Sequence, residues 1–481
     1  MADSPVIGAT FLAYLVVVLV IGVVAWRRTA NLSDYILGGR RLGSWVTALS
    51  AQASDMSGWL LLGLPGYAYL AGLESLWLLI GLLIGTYANW LFVAARLRSA
   101  TERYGDSITL PDYFERRFDD RSGLLRIISA AFILIFFTFY TSSGLVAGGK
   151  LFEAVFGMPY LWAVAAGAAA VVAYTFIGGF LAVSWTDFIQ GSLMFVALLM
   201  VVIMGWAAVS GWPGITAAME ARNPELLDMF SNAAGEPMTM IATASLLGWG
   251  LGYVGQPHIL ARFMAARSAT ETIPRARRIA MSWVTVTLIC GTLVGLIGIA
   301  YLPEPLQGAD SEKVFIFMAS ALFNPVVAGI CLAGILAAVM STADSQLLVA
   351  SSAVSEDFYK GLLRKGAEQG ELLWVGRLAV IGIAIVAFGF AMNPDSKVLD
   401  LVAYAWAGFG AAFGPAIVLS LYWRRMNRNG ALAGIVTGGL TVIVWKQLTG
   451  GIFDLYEIVP GVIFATLAIL IVSSVGKGRA A

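Results

Sequence analysis

Ala53-Ser54-Asp55-Met56-Ser57-Gly58-Trp59 sits inside an apolar run, 44–72, long enough to cross a bilayer. A carboxylate is costly to bury in hydrocarbon, so Asp55 needs a cation, a partner or a water-filled cavity. Gly58, Gly63, Pro65 and Gly66 follow closely and weaken the helix there. An acid beside helix-breaking residues exposes backbone oxygens that suit a small cation at mid-membrane. A second reading stays open on these residues alone: a buried acid neutralised by a proton or by a structural arginine.

The surrounding chain has the composition of an all-α polytopic membrane protein. Of its 481 residues 59% are hydrophobic and 12% charged, with a mean hydropathy of +0.82, far from soluble domains. The net charge of +1 says nothing about partners, and no basic patch reads as a nucleic-acid surface. Cys290, Cys331 and the lone His258 make neither a disulfide framework nor a usual metal motif. Thirteen runs are candidate spans: 6–26, 44–72, 75–95, 124–146, 161–177, 188–209, 238–257, 280–301, 326–350, 372–392, 399–423, 431–448 and 458–475. The first is not expected to be a cleaved signal, because residues 1–5 carry an acid and no base.

Lysine and arginine predict the orientation. With the N-terminus outside and the C-terminus inside, alternate loops place 25 of the 30 basic residues on the inner side, from Arg27 and Arg28 through Arg262 to Lys477 and Arg479. The outer side keeps Lys150, Arg222, Lys313, Lys397 and Lys446. Residues 210–237 read as an outer surface loop with some helix, and 315–323 as a short interfacial helix.

Five spans make a unit that inverts when repeated, because an odd count starts the next copy from the other side. Spans two to six (44–209) and seven to eleven (238–423) form such a pair, with one helix before (6–26) and two after (431–475). Span seven, like span two, is interrupted: Leu247-Gly248-Trp249-Gly250 is followed by Gly252, Gly255 and Pro257. Paired interruptions point to a mid-membrane site, although glycine also serves close helix packing. In span nine, Ala338, Ser341 and Thr342 share one helix face. Their oxygens suit sodium; the alternative is hydroxyls bonded back to their own helix. Asp344 is a second acid needing an explanation.

Several blocks resemble the sodium/solute symporters, most closely their proline branch. They include Tyr35 to Arg40, Ala53 to Pro65, Leu110 to Phe114, Tyr174 to Phe180, Ser184 to Asp187, Gly248 to Tyr253, Gly255 to Phe263, Tyr404 to Gly410 and Asn429 to Gly434. Gly178-Gly179, and Arg425 with Gly430-Ala431, look like the family's two general signatures. The resemblance implies a LeuT-type inverted five-plus-five core. It implies sodium held by backbone oxygens of Ala53, Met56 and Ala338 and by the hydroxyls of Ser341 and Thr342. Asp55, Arg40 and Asp187 are implied in sodium coupling, and Asp344 and Ser345 in a second cation path. Some relatives carry serine at the Asp344 position, so Asp344 either strengthens cation binding or is protonated and structural.

For cargo, the resemblance implies L-proline, bound by Ser57, Gly58, Trp59, Tyr140, Trp249 and Tyr253. Freed amides suit its carboxylate, and aromatic faces its ring and ammonium. Packing is the competing account of each aromatic. The expected protein is no enzyme but a sodium-driven symporter in a bacterial inner membrane, working by alternating access, with sodium, proline and lipid as partners. Alternatives are another small carboxylate such as pantothenate, or a transporter-like nutrient sensor. A sensor is expected to carry an appended signalling domain, whereas this sequence ends at Ala481.

Overall fold

A computed structural model describes residues 4–26, 36–177 and 179–475. Arg27, Arg28, Tyr35, Gly178, Lys477 and Arg479 lie outside the described residues. All thirteen apolar runs carry helix, and among the described residues nine helices are long and apolar enough to cross a membrane. Regular β-structure among them is limited to isolated bridges.

We label the α-helices in chain order. They begin with α1 (Ser4–Trp26), α2 (Ser44–Asp55), α3 (Leu64–Ala71), α4 (Leu76–Ala88), α5 (Ala95–Arg103), α6 (Leu110–Arg117), α7 (Leu124–Phe156), α8 (Tyr160–Ile177), α9 (Phe180–Ala208) and α10 (Gly211–Arg222). After these come α11 (Met240–Gly248), α12 (Pro257–Ala265), α13 (Thr272–Tyr301), α14 (Val314–Leu322), α15 (Pro325–Ser352), α16 (Gln369–Phe390), α17 (Val398–Tyr422), α18 (Arg428–Trp445) and α19 (Ile458–Val475). The spanning stretches of α13, α15 and α17 are mostly buried, whereas α1, α16 and α19 turn most of their apolar surface outward. Outward leucine, isoleucine and tryptophan, such as Leu12, Trp162 and Ile471, suit a lipid surroundings.

The two expected interruptions are real breaks. Helix α2 stops at Asp55, Met56 leaves helical geometry at φ −78°, ψ 71°, and a π-helical turn, Trp59–Gly63, precedes α3. The later break is built differently. A 3-10 stretch, Trp249–Gly255, follows α11, and Gln256 is extended before Pro257 opens α12. The Gln256 amide fills this gap by donating to the carbonyls of Gly252 and Trp406, each at 3.1 Å. Helix α2 packs against α9, α12, α13 and α15, and the 3-10 stretch packs against α4 and α17.

Three sequence expectations need correction in detail. Helix α9 starts at Phe180 rather than at 188, so Asp187 lies two turns inside it and is wholly buried. Thr186 satisfies its hydroxyl on the helix's own Ala182 and Val183 carbonyls, so its polarity does not end the helix. Arg262, counted above as an inner-surface charge, is wholly buried, and so is nearly all of Lys150. Helix α14 falls where a short interfacial helix was expected, but Phe315, Ile316 and Met318 on it are buried in the protein.

The charged ends distinguish two faces. One carries Arg40, Arg98, Arg116 and Arg126, with a cavity of about 570 Å³ between α6, α7 and the π-helical continuation of α15, Ala353–Leu363. The opposite face carries the buried Lys150–Glu312 ion pair.

Candidate functional site

A helix end leaves carbonyls without amide partners. At the end of α2 the Ser57 amide bonds to the Asp55 carbonyl at 2.9 Å, so the Ala53 carbonyl lacks its usual helical donor. Two hydroxyls from α15 reach it instead: Ser341 Oγ at 2.8 Å and Thr342 Oγ1 at 3.2 Å. Ser341 Oγ also lies 3.2 Å from the Ala338 carbonyl. Four of the five oxygens expected for sodium therefore meet between α2 and α15. Met56, the fifth residue, is buried at the break itself. Among the described residues no three His, Cys, Asp or Glu side chains gather as a metal centre. A cation between these helices would rest on hydroxyl and carbonyl oxygens, the donor set that suits a hard ion.

Asp55 occupies the last position of α2. Its side chain is wholly buried, and neither carboxylate oxygen completes a hydrogen bond. The Tyr253 hydroxyl faces this carboxylate, and an incompletely satisfied buried acid leaves a place for a further partner. Its carbonyl, by contrast, is crowded: Trp59 Nε1 donates at 3.0 Å and the Tyr140 hydroxyl at 3.3 Å. Ser57 Oγ accepts from the Trp59 amide at 3.4 Å, which restarts the helix after the break.

The residues expected to hold the cargo form a layer beside Asp55. Tyr140 and Trp59 meet at the Asp55 carbonyl, and Tyr253 is buried with its hydroxyl unpartnered. Tyr253 stands edge-on to Trp406 at 4.9 Å, and its carbonyl accepts from Asn89. Trp249 lies against Tyr456, with ring centres 5.4 Å apart, and accepts from Trp406 Nε1 at 2.7 Å through its carbonyl. Trp249 also lines a cavity of about 420 Å³ that includes Gly63, Tyr67, Glu312, Asp400 and Tyr456. Gly58 lets α7 come close: a Cβ there would lie 2.5 Å from the Ala147 methyl. The structure thus joins Ser57, Gly58, Trp59 and Tyr140 tightly, with Trp249 reached from the cavity side.

Asp187 and Ser345 belong to a second cluster. Asp187 Oδ2 accepts from Ser50 Oγ at 2.6 Å and from Arg262 Nη2 at 3.1 Å. Arg262 also donates to Ser50 Oγ, to the His258 carbonyl and, in a short contact, to Ser345 Oγ. Asp344 Oδ1 lies 3.3 Å from Ser345 Oγ, and its Oδ2 is unpartnered. Sequence reasoning missed Arg262. The available signal was its place in the apolar block Pro257-His258-Ile259-Leu260-Ala261-Arg262-Phe263, where a surface charge is out of keeping.

Arg40 sits in a left-handed conformation at φ 54°, on the arginine-rich face. Its guanidinium pairs with Asp106 at 2.7 Å and donates to the carbonyls of Met264 at 2.7 Å and Ser107 at 2.8 Å. Burial lowers its pKa while Asp106 acts in the opposite direction; an arginine remains a cation regardless. Arg40 therefore ties the entry of α2 to the end of α12.

Known proteins resemble this chain in sequence and in fold. Residues 35–438 match the sodium:solute symporter family. The chain is 54% identical to a sodium/proline symporter of Salmonella typhimurium, over 100% of this chain and 95% of that one. It is 50% identical to the osmoregulated proline transporter OpuE of Bacillus subtilis, over 96% and 94%. Among solved structures, a Na+-coupled sialic acid symporter in a substrate-bound outward-open state superposes with a TM-score of 0.78 at 20% identity, covering 98% of both chains. The nucleobase-cation-symport transporter Mhp1 gives 0.56 at 15% identity, covering 92% of this chain and 95% of that one.

Proposed function

The chain belongs to the sodium:solute symporter family, and from that premise we propose that it is a sodium-coupled L-proline symporter of the bacterial inner membrane. Sequence identity along its whole length to sodium/proline symporters supports the cargo and the ion. The observation that carries the ion-binding part is the Ala53 carbonyl, left free by the break in α2 and met by Ser341 and Thr342. In this reading sodium enters among those hydroxyls and the carbonyls of Ala53, Met56 and Ala338. Asp55 supplies the compensating charge close by. Ordering of the break by sodium aligns Ser57, Gly58 and Trp59 for the proline carboxylate. Tyr140, Trp249 and Tyr253 enclose the ring. Each ligand then favours the other by linkage.

The arginine-rich face is cytoplasmic, the N-terminus is outside, and thirteen spans alternate across the membrane. Spans 44–209 and 238–423 are inverted copies that rock about the site. One sodium ion moving down about 100 mV gains about 2.3 kcal/mol, and a tenfold gradient adds about 1.4 kcal/mol. Together these support proline accumulation of several hundred-fold. No bond is made or broken, so the protein is a carrier and not an enzyme. The test is labelled proline uptake into proteoliposomes under an imposed sodium gradient. Accumulation that collapses with the gradient is expected; uptake indifferent to sodium rejects the reading.

A further inference from the structure

Symport as described leaves Arg262 without a task. Its side chain is wholly buried, and a buried cation persists only with close acceptors. It has four: Ser50 Oγ at 3.0 Å, the His258 carbonyl at 3.0 Å, Asp187 Oδ2 at 3.1 Å, and Ser345 Oγ. They divide into two groups. Ser50 and His258 belong to α2 and α12, the short helices that meet the breaks. Asp187 and Ser345 belong to α9 and α15, which run unbroken past them. The guanidinium therefore spans the joint between the interrupted pair and the continuous pair.

The position of that joint gives it a consequence. Ser345 lies one turn along α15 from Ser341 and donates to the Ser341 carbonyl at 2.7 Å. Ser50 lies one turn back along α2 from Ala53. Both steps lead from the Ala53–Ser341–Thr342 oxygens toward the arginine-rich face, where Arg40 holds the Met264 carbonyl near the end of α12. An ion leaving toward that face between α2 and α15 meets the guanidinium first.

Resting on the symport reading, we infer that Arg262 is a captive cation that stoppers the sodium exit. A sodium ion and a guanidinium repel each other, so the passage stays shut while Arg262 occupies it. When the interrupted helices move away, the bonds to Ser50 and His258 travel with Arg262. Those to Asp187 and Ser345 break. Asp187 Oδ1 and Asp344 Oδ2 have no hydrogen-bond partner in this structure, so each offers an oxygen to the departing ion. One monovalent cation replaces another at Asp187, so the charge beside that carboxylate is unchanged through the step. In this account Asp187, expected in sodium coupling, and Asp344 and Ser345, expected in a second cation path, line that exit.

Entry of sodium-22 into proline-free proteoliposomes reads the stopper directly. Arg262→Gln should raise this leak at least fivefold over the native protein, with proline binding retained as the control for folding. Arg262→Lys keeps the charge without the planar fork and should leak less. The charge-balanced double variant Asp187→Asn/Arg262→Gln should also leak, with thermal unfolding as its folding control. It keeps the proposal testable if Arg262→Gln does not fold. A native-level leak in folded glutamine variants overturns the proposal. Folded variants that lose uptake without leaking also overturn it, because Arg262 would then be only a tie between helices. The leak comparison needs no proline. Absence of sodium-dependent proline uptake in the native protein would instead refute the symport reading.

Discussion

Asp55 and Arg262 are both wholly buried ionisable side chains, yet their surroundings differ. Arg262 has its acceptors in place, whereas neither Asp55 oxygen completes a hydrogen bond. A charge-assisted contact is worth about 1.5–3 kcal/mol. Asp55→Asn should therefore weaken sodium binding by roughly 10- to 150-fold, with the helical content unchanged. Sodium titration by calorimetry and circular dichroism of the same sample check both halves. Asp55, Ser341 and Thr342 were legible in the sequence because an acid and clustered hydroxyls are anomalies inside apolar runs. Arg262 was not, because it stands four residues before an arginine-bearing loop. Orientation by positive charge explained both equally well.

At the scale of elements, hydropathy located the helices but not their interruptions. The sequence offers glycines and prolines over a dozen positions, and tertiary contacts choose among them. Helix α2 ends at Met56 because α15 and α7 supply the hydroxyls that take the freed carbonyls. The 3-10 stretch persists because Gln256 and Trp406 bond across its end. Close backbone approach is the other requirement. A Cβ at Gly85 of α4 would lie 2.1 Å from the Gly250 carbonyl oxygen, with no flexible side chain to yield. Gly85→Val should cost about 1–3 kcal/mol by overpacking, read as a lower thermal midpoint. It should also displace Trp249 and weaken proline binding more than sodium binding.

For the whole molecule, the all-helical architecture was legible from composition and periodicity, whereas the connections between distant segments were not. Lys150 read as an outer-loop charge, but it is buried 2.5 Å from Glu312. Glu312 in turn accepts the amides of Val398 and Leu399 at the start of α17. This knot fastens α7, the segment before α14, and α17 on the face opposite the arginines. Removing one member of a buried pair strands the other and costs about 3–5 kcal/mol. Lys150→Met should lower the unfolding midpoint accordingly. Detergent-purified protein heated at fixed sodium and proline measures it.

On the arginine-rich face the Leu42 amide donates to the Ala265 carbonyl at 3.2 Å, and the Arg267 amide to the Leu42 carbonyl at 3.0 Å. These bonds form a parallel bridge between Leu42 and Ala266. Two segments more than two hundred residues apart are stitched main chain to main chain, just where each leads into or out of an interrupted helix. Rigid coupling of the two stretches is the expected consequence. Spin labels flanking this stitch, on the exposed Arg41 and Arg267 positions, should keep one separation through the whole cycle while their distance to α9 changes.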